Sequence, residues 1–95
     1  MDDQEKLKAV QNYLQSEFPG SEIEVIFQPD EKVHVFQILQ QGKSHRAMVT
    51  ETFLNVREAP QIQATLKAFT LAEHLRELGQ TPVVVTPHGL KLEGD

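Results

Sequence analysis

The sequence contains no cysteine, no tryptophan and no apolar run that approaches the length of a membrane-spanning helix. Without cysteine there can be no disulfide framework, thiolate nucleophile or cysteine-ligated zinc site. The first residues, Met1 to Glu5, are acidic and polar, whereas a signal peptide starts with basic residues and continues with apolar ones. We therefore expect a cytoplasmic protein that does not enter a membrane.

Basic residues are also scarce, since the chain has nine Lys and Arg residues against 14 Asp and Glu residues and a formal net charge of -5. Affinity for nucleic acid depends largely on Lys and Arg side chains that displace counterions from phosphates. The basic residues of this chain are scattered along the sequence rather than clustered. The charge balance therefore argues against a nucleic-acid partner.

The apolar residues, 39% of a chain of 95 residues, are enough for one hydrophobic core. We predict a single α+β domain that spans residues 1–95. A helix is predicted from Gln4 to Glu17, because Leu7, Val10, Leu14 and Phe18 recur at spacings of three and four residues.

Segments rich in β-branched and aromatic residues predict a sheet, with a long helix between its third and fourth strands. The predicted strands are 23–28, 33–39, 47–53, 82–86 and, as a possible short final strand, 90–93, and the helix covers about 59–78. These elements predict a two-layer α-β-β-β-α-β(-β) domain, in which an antiparallel meander sheet packs against two helices. The strand order beyond the meander stays open.

The register of the second and third strands depends on the turn at Gln40-Gln41-Gly42. A three-residue loop pairs odd residues with odd residues, whereas a two-residue Gln41-Gly42 loop shifts the partner by one. We favour the longer loop, because glutamine fits poorly at the first position of a mirror-image turn and because the longer register brings the apolar sets of the strands together. The predicted helix-covered face is then Ile23, Val25, Phe27, Val33, Val35, Leu39, Ala47, Val49 and Phe53. The predicted outer face contains the apolar residues Ile26, Phe36, Ile38 and Met48.

The long helix has apolar residues on two nearly opposite sides. Ile62, Leu66 and Phe69 form one side, and Leu71, Leu75 and Leu78 form the other. Such a helix either bends while crossing the sheet or buries its second side against something else. The second side would then be covered by the first helix and the C-terminal tail of the same chain or by another subunit.

No residue pattern predicts a catalytic, cofactor or metal site. The four histidines, His34, His45, His74 and His88, lack metal-ligand spacing, and the preferred register places His34 and His45 on opposite faces of the sheet. The glycines are isolated, so there is neither a phosphate-binding loop nor a dinucleotide fingerprint.

The order helix, three strands, helix is similar to that of double-stranded RNA-binding domains. Those domains have a lysine-rich start to their second helix, where this chain has the segment 58–63, Glu-Ala-Pro-Gln-Ile-Gln. With its trailing strands, the order is also similar to that of type III secretion chaperones, which are small, acidic and dimeric but have an additional final helix. Both resemblances concern element order and not a sequence motif.

The predicted function is therefore that of a small noncatalytic protein-interaction module, which forms homo-oligomers, in particular homodimers, or binds another protein. Its predicted contact residues are the outer-face set Ile26, Phe36, Ile38 and Met48 and the second helix side, Leu71, Leu75 and Leu78. The alternative is a small-ligand-binding domain, or an enzyme subunit, with a pocket between helix and sheet.

Overall fold

The predicted α+β architecture is confirmed in the computed structural model, which describes residues 3–79 and 81–92. The described residues form four helices and one five-stranded sheet. The helices are α1 (Asp3–Glu17), α2 (Glu51–Asn55), α3 (Ala59–Ala68) and α4 (Leu71–Leu78). The strands are β1 (Glu22–Gln28), β2 (Val33–Gln40), β3 (Lys43–Thr50), β4 (Val83–Thr86) and β5 (Gly89–Leu92).

The strands lie in the sheet in the order in which they follow in the chain, β1-β2-β3-β4-β5. Neighbouring strands are antiparallel except β3 and β4, which pair in parallel because α2, α3 and α4 carry the chain back between them. One large core cluster joins apolar residues of all four helices to one face of the sheet. The other side of the sheet, which we call the open face, carries a smaller cluster made of Val33, Val35 and Met48, with Val84 packed against it.

The prediction of a three-residue loop between β2 and β3 is wrong. The structure has the two-residue turn, with φ angles of 50° at Gln41 and 79° at Gly42, and Gln40 pairs with Lys43. Positive φ at both central residues is the geometry of a type I′ hairpin turn. The left-handed conformation costs a residue such as Gln41 about 1–2 kcal/mol. The burial of Phe36 and Ile38 in this register offsets that cost.

The shorter turn reverses the predicted face of every β2 residue. Phe36 lies opposite Ala47, and both are fully buried under the helices. Val33, Val35 and Leu39, expected in the helix-covered core, lie on the open face instead. Because a one-residue shift moves a whole strand's side chains to the other face, this single turn accounts for all of these errors.

The third strand ends earlier than predicted, at Thr50, where α2 begins. The Thr50 hydroxyl accepts a hydrogen bond from the Phe53 backbone N–H at 3.2 Å and so caps the new helix. Phe53, expected on the strand, is fully buried from α2. Its place in the core was therefore predicted correctly and its secondary structure was not.

The predicted long helix is two helices, α3 and α4, which are separated at Phe69 and Thr70. Thr70 has a left-handed conformation with φ of 55°. The break changes the direction of the chain, so that Leu66 before it and Leu71 and Leu75 after it are all fully buried in one core. Of the two explanations for the double-sided apolar pattern, the structure has the bend.

The Tyr13 hydroxyl caps the N-terminal end of α4. Thr70 makes no side-chain cap on this helix, and the Tyr13 hydroxyl accepts a hydrogen bond from the Ala72 backbone N–H at 3.1 Å. The Tyr13 side chain is buried, which raises the pKa of its phenol above the usual 10.0; the Glu17 and Glu73 carboxylates act in the same direction, whereas the Ala72 bond lowers it.

Stability should therefore fall in alkaline solution because of Tyr13. Because its pKa is raised, the Tyr13 phenol of the folded protein stays protonated at pH values where the phenol of the unfolded chain ionises. The contribution of Tyr13 to the free energy of unfolding is therefore constant below about pH 10 and is lost as pH rises through the pKa of the folded state. Tyr13→Phe should lose about 1–3 kcal/mol at neutral pH, because the Ala72 N–H stays unbonded. Denaturant titrations across this pH range should show a steeper alkaline loss for the native chain than for Tyr13→Phe, and parallel curves would contradict this assignment.

Candidate functional site

Four of the seven predicted contact residues have no surface to offer a partner. Phe36 and Ile38 are fully buried, because the observed register turns them towards the helices, and Leu71 and Leu75 are fully buried because α4 bends onto the core. Leu78 is partly buried against the same core. The four fully buried side chains therefore stabilise the fold, and Leu78 keeps part of its surface exposed.

The other two predicted contact residues lie on the open face. Ile26 is 49% exposed and begins a cross-strand row that continues through Val35, Met48 and Val84. Met48 is only 7% exposed, because it packs in one cluster with Val33, Val35 and Val84. Ile26 is thus the one residue of the predicted outer-face set with a large accessible area, and it belongs to β1.

Strand β1 lies at the edge of the sheet and is almost entirely exposed. It pairs with β2 on one side, and no strand among the described residues pairs with its other side, which we call the β1 edge. Val25, Ile26 and Phe27 are 41%, 49% and 45% exposed. Val25 and Phe27 point to the helix side, so their exposure means that the helix layer does not extend over the β1 edge.

The β1 edge lacks most of the features that protect natural edge strands from pairing. Such strands are commonly short, or carry lysine, proline or a bulge. The seven residues of β1 include no lysine and no proline, and they pair with β2 in one uninterrupted register; their only charged side chains are those of Glu22 and Glu24. The opposite edge of the described sheet, β5, has four residues and carries Lys91. The β1 edge is therefore the more accessible one for another strand.

A cleft of about 520 Å³ lies where the β2–β3 turn meets the last residues of α1 and α4. The residues around this basic cleft include Phe18, Gln40, Lys43, His45, Arg76 and Gly79.

Hydrogen bonds to backbone carbonyls hold the walls of the basic cleft. Arg76 donates to the Glu17 carbonyl, Gln40 to the Pro19 carbonyl at 2.8 Å, and His45 Nδ1 to the Gly79 carbonyl at 2.9 Å. Because a carbonyl only accepts, His45 carries a proton on Nδ1. The Glu17 carbonyl is at the end of α1, where it has no partner within the helix, and the Pro19 and Gly79 carbonyls lie in the segments that follow α1 and α4.

The Phe18 ring lies against the basic cleft and is only 2% exposed. The Arg76 guanidinium lies 4.9 Å from its centroid and the His45 ring lies 5.3 Å from it. Arg76 also forms an ion pair of 3.4 Å with the Glu17 carboxylate. Lys43 is exposed, and no carboxylate of the described residues lies within ion-pair distance of its ammonium group.

The histidines do not assemble into a site. The observed register places His34 and His45 on the same face, which corrects the expected opposite faces, but His34 pairs with Val49 and so lies four residues along the hairpin from His45. His74 Nδ1 bonds the Thr70 carbonyl at 2.9 Å. In residues 3–79 and 81–92, no three His, Asp or Glu side chains form a group that could hold a metal ion.

Comparisons with protein-family models, with curated protein sequences and with solved structures find no match for this chain. None of the helices that the structure describes is long and apolar enough to cross a membrane. The geometry of the β1 edge and of the basic cleft therefore carries the functional argument.

Neither the β1 edge nor the basic cleft was predicted from the sequence. The strand order that leaves β1 at an edge depends on where β4 inserts, and the basic cleft combines three separate parts of the chain. One signal was present in the sequence: Val25, Ile26 and Phe27 are consecutive apolar residues, although a strand covered on one face needs apolar residues only at alternate positions.

Proposed function

We propose that the protein is a noncatalytic protein-interaction module of the cytoplasm, which forms a homodimer by pairing the β1 edges of two copies. The observation that carries the proposal is the exposure of three consecutive apolar residues, Val25, Ile26 and Phe27, on an edge strand whose other side has no partner among the described strands. An edge strand presents unpaired backbone N–H and C=O groups, and a second strand satisfies them by extending the sheet.

Self-pairing suits the sequence of β1. An antiparallel pair related by a two-fold axis at Val25 uses all seven residues of the strand. On the helix side it places Val25 opposite Val25 of the second copy and Ile23 opposite Phe27, so every pair there is apolar. On the open face it places Glu24 opposite Ile26 and Glu22 opposite Gln28, so that no two carboxylates face each other directly.

Other self-pairing registers are less favourable. A two-fold axis at Glu24 places two Glu24 carboxylates directly opposite each other, and like charges in that position are destabilising. An axis at Ile26 leaves Glu22 and Ile23 without strand partners. The axis at Val25 therefore gives the longest pairing with no directly opposed like charges, and it would join two five-stranded sheets into one.

The expected interface is small. It consists of one strand pair and the side chains on either side of it, whereas stable interfaces typically bury about 1,200–2,000 Å² in total. We therefore expect dimerisation that depends on protein concentration. The apolar contacts at Val25 and Phe27 are its main source of affinity, and the backbone hydrogen bonds set its register.

The test is the solution mass of Val25→Lys, measured by light scattering over a wide concentration range. The native chain should pass from monomer to dimer as concentration rises. Val25→Lys should stay monomeric, because two lysines would lie directly opposite each other across the two-fold axis. The exposure of Val25 makes the variant compatible with folding, and circular dichroism should give a native spectrum.

The matched control is Val56→Lys, which makes the same substitution at a valine that is 64% exposed and lies between α2 and α3. It should dimerise like the native chain. A native chain that remains monomeric at every concentration would overturn the proposal, as would a Val25→Lys variant that dimerises as well as Val56→Lys.

A second candidate function is the binding of a small ligand in the basic cleft. The observation that favours it is a recess of about 520 Å³ with three basic residues at its walls, within the size range of small-molecule sites. This candidate is independent of dimerisation, because no residue of β1 is among those that line the cleft.

A further inference from the structure

The basic cleft departs from the charge of the rest of the molecule. The chain has 14 acidic and nine Lys and Arg residues, yet the cleft is lined by Lys43, Arg76 and His45 and, within residues 3–79 and 81–92, by no acidic residue. Local positive charge in a recess of an acidic protein attracts anions, since the walls of a cleft focus the field of the charges that line it.

The helix ends beside the basic cleft do not reverse this preference. The C-terminal end of a helix carries a partial negative charge on its unpaired carbonyls. Here Arg76 bonds the Glu17 carbonyl and His45 bonds the Gly79 carbonyl. These carbonyls are therefore occupied, while the Lys43 ammonium remains without an ion-pair partner among the described residues.

The carboxylate of Glu17 lies beside the basic cleft, paired with Arg76. It lies 3.4 Å from Arg76 Nη2, in a pair whose two side chains are both partly exposed. An ion pair of this kind contributes little to stability. An incoming anion could therefore share or replace Glu17 at the guanidinium without disturbing the fold.

We propose that the basic cleft binds a small organic anion, with its carboxylate or phosphate group between Lys43 and Arg76 and its apolar part against the methylene groups of these two side chains. The cations supply the charge-assisted hydrogen bonds. The Phe18 ring is 2% exposed and packs against the guanidinium and the His45 ring, so it supports Arg76 from below the surface. The methylene groups of Lys43 and Arg76 give the cleft apolar walls, so the cleft should favour an organic anion over a bare inorganic one.

The test is a titration of the native chain with phenyl phosphate and with benzoate, followed by the amide NMR signals. Both probes should bind saturably and shift signals of residues 40–45 and 76–79. Inorganic phosphate should bind more weakly because it has no apolar part, and benzylamine, a cation of similar size, should not bind. The relative affinities of phenyl phosphate and benzoate identify the preferred anionic group.

Lys43→Glu should weaken the binding of phenyl phosphate by about tenfold or more, because it replaces an attractive charge by a repulsive one. Its matched control is Lys91→Glu, which makes the same change of charge at an exposed β5 residue and should bind like the native chain. Absence of saturable binding by both organic anions would overturn the proposal. Equal weakening in both variants, or equal binding of inorganic phosphate, would also contradict it. The light-scattering test of the β1 edge is carried out on protein without any probe, so its outcome does not depend on whether the basic cleft binds an anion.

Discussion

Ile38→Ala is expected to destabilise the protein by about 2–5 kcal/mol, whereas Leu39→Ala should change its stability by less than about 1 kcal/mol. The two residues are neighbours on β2 and have side chains of the same composition. Ile38 is fully buried under the helices, and Leu39 is 38% exposed on the open face. The large difference in expected effect therefore depends only on the face to which each side chain points.

This pair of variants tests the register of the β2–β3 hairpin. In the observed register Ile38 lies opposite His45 and Leu39 lies opposite Ser44. A shift of one residue would bring Leu39 into the core and expose Ile38. Denaturant unfolding at equal protein concentration measures both values, and a larger loss for Leu39→Ala than for Ile38→Ala would contradict the structure.

The loss in Ile38→Ala is large relative to the total, because small domains are stable by about 5–15 kcal/mol. A charged residue at Phe36 or Leu75 should likewise unfold the chain rather than separate two subunits, since both side chains are fully buried. Loss of a dimer in such a variant would therefore say nothing about an interface at those positions.

The order of the elements could be predicted from the sequence because its signals are local. The apolar spacing of α1, the β-branched segments of β2 and β4 and the turn before β5 each depend on a few consecutive residues. Five strands with helices on one face then follow from the need to bury one side of the sheet.

The hairpin register could not be predicted correctly because two terms of similar size compete. A left-handed conformation at Gln41 costs about 1–2 kcal/mol, and this argued for the longer loop. Burial of Phe36 and Ile38 under the helices gains more, at about 1.5–3 kcal/mol for each large apolar side chain. The comparison requires knowing which helices cover the sheet, and that information is not local.

The break at Thr70 has the same kind of origin. Helical periodicity alone continues from α3 into α4, and the sequence showed only that one straight helix would have two apolar sides. The tertiary structure removes the conflict by placing Thr70 in a left-handed conformation. Leu71 and Leu75 then reach the core, and the surface that they would have offered to a partner disappears.

The candidate contact surface could be predicted only in part. Ile26 was identified as an exposed apolar residue, and it is one. Its neighbours Val25 and Phe27 were expected under the helices, on the correct face of the sheet, but the helix layer ends before it reaches them. How far a layer extends over an edge strand depends on packing and not on the sequence of that strand.

Oxidation of the variant Val25→Cys should produce a covalent dimer rapidly and nearly completely. The chain has no cysteine of its own, so any disulfide must join the two introduced residues. Directly opposed residues of antiparallel strands have Cα atoms about 4.5–5.5 Å apart, which lies within the range of about 4.4–6.8 Å that a disulfide spans. A two-fold axis at Val25 places the two cysteines in that position.

Ile26→Cys is the matched control, since it lies on the same strand and has a similar exposure. In the proposed register Ile26 faces Glu24 of the second copy. The two introduced cysteines would therefore be diagonal neighbours, and residues in that relation are separated by about 7–8 Å across the strand pair. That separation is too long for a disulfide without movement of the backbone.

The measurement that tests the β1-edge dimer most directly is therefore the fraction of covalent dimer formed by these two variants under mild oxidation, read on a non-reducing gel at equal concentration. A two-fold axis at Val25 predicts fast cross-linking of Val25→Cys and slow cross-linking of Ile26→Cys. Preferential cross-linking of Ile26→Cys would contradict the proposed register, and equally slow cross-linking of both would contradict pairing through β1.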